Sequence, residues 1–123
     1  RGAARCVERE TRPHRAGAAL SPYVPRALAT GEGPVVAVTD FVKRVADQVA
    51  RWMPQPFVPL GVDGFGLSDT RPALRRHFET DAAHIIVAML WGLFLQGDVK
   101  ADVVNDAIRQ YGIDVELPCP RDF

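Results

Sequence analysis

Two cysteines in 123 residues, Cys6 and Cys119 near opposite ends of the chain, exclude a disulfide framework. With no CxxC pair and no His/Cys cluster at ligand spacing, they also exclude a zinc module. A reducing, cytoplasmic setting fits that usage. Long apolar runs are missing as well. The longest, residues 85–95, interrupted only by Gly92, falls well short of the ~20 residues of a membrane-spanning helix. It predicts a buried helix and no membrane partner. No signal-peptide pattern, internal repeat or low-complexity tract is present, and the chain opens on RGAARCVERE without a methionine, the expectation for a piece of a longer protein.

An excess of charge of one sign is the next absence: 15 Lys and Arg balance 15 Asp and Glu. The balance is uneven along the chain, with six Arg against three Glu in residues 1–33 and nine basic against twelve acidic residues after that. Arginine interleaved with Ala, Glu and Pro is the composition of a solvated connector, so no nucleic-acid partner is expected. At 47% hydrophobic and 24% charged, the chain has globular composition and length for one modest core.

Residues 1–33 have weak periodicity. Ala3, Ala4 and Val7 could seed a short helix, but Pro13, Pro22 and Pro25 break any long one, so this stretch reads as a connector or the incomplete start of a domain. Residues 34–39, PVVAVT, form a β-branched run of the kind buried on both faces of a sheet. Asp40 is then the expected cap of an amphipathic helix whose inward stripe is Phe41, Val45, Val49 and Trp52, stopped by Pro54. Residues 57–62, FVPLGV, read as a second strand, with Pro59 marking an edge or a strand start. Three helices follow at about 71–79, 82–96 and 99–111. Caps are expected at Asp81 and Asp98, stops at Gly97 and Gly112, and Val104, Ile108 and Tyr111 should face inward. This order of elements predicts an α/β layer with a largely parallel sheet.

Between the second strand and the helices lies GVDGFGLSDTRPALRRHFETD, residues 61–81. Gly61, Gly64 and Gly66 are expected to supply backbone freedom in one loop, and Gly64→Val or Gly66→Val to destabilise it. Ser68, Asp69 and Thr70 are all N-cap candidates, with Pro72 tolerated in the first turn. A phosphate cradle is disfavoured: Asp69 stands where a third glycine of the dinucleotide fingerprint belongs, and no GK[ST] follows. Asp63 and Asp69 as a metal or acid/base pair compete with the blander reading of carboxylates folded back on local amides. His14, His77 and His84 are scattered without a nucleophile, and His84 reads as a satisfied boundary histidine rather than a ligand. The RPALRR run reads as a solvated helix face, and Trp91 and Phe94 as core rather than an association patch.

The 61–81 stretch resembles the C-terminal domain of the homodimeric, thiamine diphosphate-dependent pyruvate dehydrogenase family, where TDGFGxSDxRxxLRxxFExD recurs. Val62 replaces the usual Thr, and Leu67 stands where a basic residue is common. The similarity runs on through PVVAVTDFVKRVADQVARWMPQPF at residues 34–57 and through DAAHIIVAML to VVNDAIRQYGID, which ends at Asp114. The resemblance implies a three-layer α/β/α sandwich with a mostly parallel sheet, of which residues 34–123 supply the later part.

The reaction so implied is decarboxylation of pyruvate and transfer of the acetyl group to a lipoyl arm of dihydrolipoamide acetyltransferase. Thiamine diphosphate and magnesium would be bound by domains absent here, because neither the GDG-type metal motif nor the activating Glu has a matching position. No residue is therefore expected to be catalytic. Asp63, Gly64, Phe65, Gly66, Ser68 and Asp69 remain as a structural or interface loop, facing the other domains or the second subunit. A stand-alone α/β interaction module is the alternative, and a small hydrolase lacks any nucleophile constellation.

Overall fold

A computed structural model describes residues 23–28, 31–64 and 66–120. Residues 1–22, including Cys6, His14 and the helix seed at Ala3, Ala4 and Val7, lie outside the described residues, as does Phe65. The elements are α1 (Tyr23–Leu28), β1 (Val35–Val38), α2 (Arg44–Ala50), β2 (Phe57–Leu60), α3 (Arg71–His77), α4 (Ala82–Gln96) and α5 (Ala101–Gln110). Pro25 sits within the first turn of α1 rather than breaking it, since an early helical residue needs no amide donor.

β1 and β2 pair in parallel, Val35 opposite Phe57 and Val38 opposite Leu60, and form the two-stranded sheet of the described residues. The Val35 amide donates to the Pro56 carbonyl at 2.9 Å and the Thr39 amide to Leu60 at 3.0 Å. In that phase the odd-numbered amides of β1 face β2, while residue 59 turns its backbone nitrogen to the outer edge. Pro59, which has no N–H, thus sits where none is needed. On the far side of β1, Val36 and Val38 direct their amides to an edge with no strand beside it among the described residues.

Helix α2 begins later than the sequence suggests. Asp40 does not cap it: the Phe41 carbonyl accepts the Val62 amide at 2.9 Å, and the Lys43 amide donates to the Asp63 carboxylate at 2.8 Å. These bonds to the chain leaving β2 hold residues 41–43 in a turn, and Lys43 is the N-cap without a side-chain bond. The expected inward stripe fails at its start, with Phe41 71% and Val45 49% exposed.

Helices α3 and α4 meet at a corner where Glu79 takes a left-handed φ of 56° and the Thr80 amide closes on the Arg75 carbonyl. By length and composition, residues Arg71–Gln96 would pass as one 26-residue membrane-spanning helix. The corner divides them, and α4, with 15 residues, is about 22 Å long at 1.5 Å per residue, short of a ~30 Å hydrocarbon core. Asp81 caps α4 as expected, its carboxylate accepting the His84 amide at 3.0 Å. Gly97 ends it at φ 87°, with the Asp98 amide bonded back to the Leu93 carbonyl. That bond commits Asp98 to the end of α4, so α5 starts at Ala101 behind Lys100 with no side-chain cap.

The core is small: Phe78, Ala88, Val104 and Ala107 are the buried hydrophobic residues among those described. α4 lies on the sheet through Gly92, where an added Cβ would stand 2.4 Å from the Pro34 Cβ, and α5 packs on α4. Val104 faces inward as expected, whereas Tyr111 is exposed. α4 itself is not buried. Two strands cover only the face with Ala88 and Gly92, leaving Trp91 46% and Leu95 56% exposed beside Ile86 and Met89. Trp91 stacks at a tilt on Phe94, ring centroids 5.3 Å apart, but does not join the core.

Candidate functional site

The loop from Gly61 to Thr70 leaves the carboxyl end of β2, the end of a parallel sheet where ligand and partner sites gather. Its glycines are not equivalent. A Cβ on Gly61 would lie 2.7 Å from the Lys43 nitrogen and the Phe41 oxygen, so the turn before α2 rests directly on it. Gly64 has φ 134° and passes the Pro120 carbonyl, 2.9 Å from where its Cβ would be. Gly66, next to the undescribed Phe65, has no atom of the described residues within 4 Å of an added Cβ. The requirement expected at Gly64 is therefore present, and none is seen at Gly66 among the described residues.

The two loop carboxylates are separated in use. Asp63 holds the Lys43 amide twenty residues away in sequence, and Asp69 accepts the amide of Thr70 at 2.6 Å. Of the three cap candidates Thr70 is the N-cap of α3, accepting the Ala73 amide at 3.4 Å. Ser68 and Asp69 are exposed. No group of three or more His, Cys, Asp or Glu among the described residues could hold a metal ion.

Two open depressions flank the loop. One, about 500 Å³, is lined by the apolar Val62, Leu74 and Phe78 together with Asp40, Asp69, Arg71 and Arg75. The other, about 450 Å³, lies against Asp63, Gly64, Lys43 and the exposed Cys119. Asp63 and Asp69 thus line different depressions and do not form a pair.

Arg76, read from the sequence as part of a solvated face, is a tie. It donates to Asp81 at 3.3 Å and to the carbonyls of Tyr111 and Gly112 at 3.2 and 2.6 Å. A cation there satisfies acceptors at the end of α5 and complements its dipole. Gln55 likewise donates to Leu28 and Gly31, and Gln96 to Glu32, fastening the chain before β1. Nothing in local periodicity announces such long-range bonds.

His84 is satisfied, its Nδ1 lying 2.6 Å from Asp81. Burial pushes the Asp81 carboxyl up, but the His84 amide, the His84 ring and its charge, and the Arg76 guanidinium together outweigh it and hold the group below its ordinary 3.8. A depressed carboxyl stabilises the fold above its unfolded value, and the contribution is lost as pH falls through the folded value. Asp81→Ala is accordingly expected to lower stability by about 1 kcal/mol at pH 7, the usual worth of an N-cap. The difference from the parent chain should shrink below pH 3.8. Thermal melts of both chains at pH 7 and pH 3 check it, and a gap that does not narrow would leave the charge without a role.

A family model described as the transketolase-like TK C-terminal domain matches residues 15–81. The pyruvate dehydrogenase E1 component of Mycolicibacterium smegmatis is 46% identical over 108 residues, 88% of this chain and 12% of that protein. The protein of the same name from Pseudomonas aeruginosa is 42% identical over 117 residues, 94% of this chain and 13% of its own length. That from Escherichia coli is 42% identical over 101 residues, 81% of this chain and 11% of its own. The chain therefore spans about an eighth of the curated relatives it matches. With parallel strands joined through a helix and an identity maintained across most of its length, the chain belongs to the transketolase-like C-terminal domain family.

Proposed function

We propose that this chain is a C-terminal domain segment of a pyruvate dehydrogenase, and that its own task is architectural: it completes a sheet and offers surface to neighbouring domains and a second subunit. The enzyme would decarboxylate pyruvate with thiamine diphosphate and magnesium and pass the acetyl group to the lipoyl arm of dihydrolipoamide acetyltransferase. The observation that carries the reading is the apolar surface left open. Val38, Phe41, Val42 and Val45 on one side, and Ile86, Met89, Trp91 and Leu95 along α4, are all exposed. A helix apolar on every face belongs under cover, and patches of this kind mark association surfaces.

The described residues do not fit magnesium diphosphate. They contain no acidic or histidine cluster suited to the ion, and Asp63 and Asp69 are engaged with backbone amides. No step of the reaction is assigned to them. The isolated chain is expected to give no saturable heat with thiamine diphosphate and magnesium, and to scatter light as dimers or larger species at micromolar concentration. A monodisperse monomer melting cooperatively would contradict the architectural reading and favour a self-sufficient interaction module. Micromolar cofactor binding would move the thiamine site into this chain.

A further inference from the structure

Beyond α5 the chain turns back to the carboxyl end of the sheet. Cys119 and Pro120 share a cavity of about 60 Å³ with Leu60, Gly61 and Asp63 at the exit of β2 and with Phe78 at the end of α3. The returning segment is held very differently at its two ends. At its root Arg76 donates to the Tyr111 and Gly112 carbonyls, and the Ile113 amide bonds back to the Ile108 carbonyl at 3.0 Å. At its far end there is packing alone. The point where a Gly64 Cβ would stand is 2.9 Å from the Pro120 carbonyl oxygen and 3.5 Å from the Phe78 ring, so Gly64, Phe78 and Pro120 meet at one place. Between the two ends Val115 is 65% and Leu117 63% exposed. The Glu116 amide bonds only to its neighbour Asp114, and no hydrogen bond or ion pair joins residues 114–120 to the rest of the described chain. Pro118 and Pro120 have no amide to offer.

We propose that residues 113–120 form a releasable strap, rooted at Gly112 and seated at Pro120, which in place braces the Gly61–Thr70 loop and on release frees it. A segment with exposed side chains and few hydrogen bonds opens at low free-energy cost, whereas the root carries charge-assisted bonds that are stronger than neutral ones. Opening therefore swings about Gly112, whose φ of 59° already turns the chain there. The loop feels the strap because Gly64, held at φ 134° beneath the Pro120 carbonyl, adjoins Asp63, which accepts the Lys43 amide. Val62, two residues before Gly64, donates to the Phe41 carbonyl. Lifting Pro120 removes the contact that pins the chain between these two bonds and uncovers Phe78, a member of the small core.

Amide hydrogen exchange of the full chain, resolved by NMR, tests the coupling in a Pro118→Gly/Pro120→Gly variant. The substitutions leave the Arg76 bonds untouched and favour the released strap by giving it more conformations, about two- to five-fold for each proline. The Lys43 and Val62 amides, neither of which belongs to the strap, are expected to exchange about five-fold faster or more, while the amides of α4 keep their parental rates. Unchanged exchange at Lys43 and Val62 would overturn the proposal, because the loop would then stand without the strap. Equal acceleration in α4 would overturn it as well, since residues 113–120 would then brace the whole fold instead of releasing one loop.

Discussion

Gly61→Val is expected to cost about 3 kcal/mol, the upper part of the usual range for forcing atoms into a packed site. The first added carbon would stand 2.7 Å from the Lys43 nitrogen and the Phe41 oxygen and 2.8 Å from the Lys43 Cα. All three are backbone atoms, so no rotamer change relieves the contact. Relief would require moving the turn that carries the Val62 to Phe41 bond and the Asp63 to Lys43 bond. The strand exit, the loop and the start of α2 should therefore loosen together. Gly66→Val is the internal control: with no atom of the described residues within 4 Å of its Cβ, it should melt within a degree or two of the parent chain. Equal losses at both positions would mean that the contact around Gly61 is not what limits stability.

Gly92→Ala is expected to cost about 2 kcal/mol, although it exchanges a poor helix former for the best one. Propensity alone would give a gain of up to about 1 kcal/mol. The opposite sign is expected because the methyl group would arrive 2.4 Å from the Pro34 Cβ and 2.9 Å from its Cγ. A proline ring at the entry to β1 has little room to yield, so α4 must lift from the sheet. Denaturant titration gives the sign directly, and a stabilised alanine variant would show that α4 does not seat on β1 at this point.

The elements were legible where local chemistry is strong. PVVAVT, the Asp81 cap and the Gly97 stop each carry their instruction within a few residues, and α4 appears with the bounds its pattern predicts. Most of the failures are long-range, the Asp98 cap lost to the end of α4 being a local one. Asp40 looks like a cap until Asp63, twenty residues beyond Lys43, takes the Lys43 amide. Arg76 looks solvated until α5 brings the Tyr111 and Gly112 carbonyls to it. Burial was misjudged for the same reason: an apolar stripe records what a helix is made to meet, and α4 and Phe41 meet nothing among the described residues on their open sides. At the candidate site, sequence marked the loop and its cap region but treated three glycines alike. The positions of the Phe41–Lys43 backbone and of Pro120, with the φ of 134° at Gly64, set Gly61 and Gly64 apart.

The phase of the β1–β2 ladder makes the sheet a one-way structure. β2 turns Pro59 outward and so withholds a donor from any newcomer, whereas β1 still offers the Val36 and Val38 amides. Growth is therefore directed past β1, and β2 is set to be the boundary strand of whatever larger sheet it joins. If two copies of this chain meet through their strands, the symmetric solution places β1 against β1 and a proline-bearing β2 on each flank. Strand pairing of that kind would leave on each flank an edge that lacks the donor at Pro59, a poorer template for a further strand than the edge of β1.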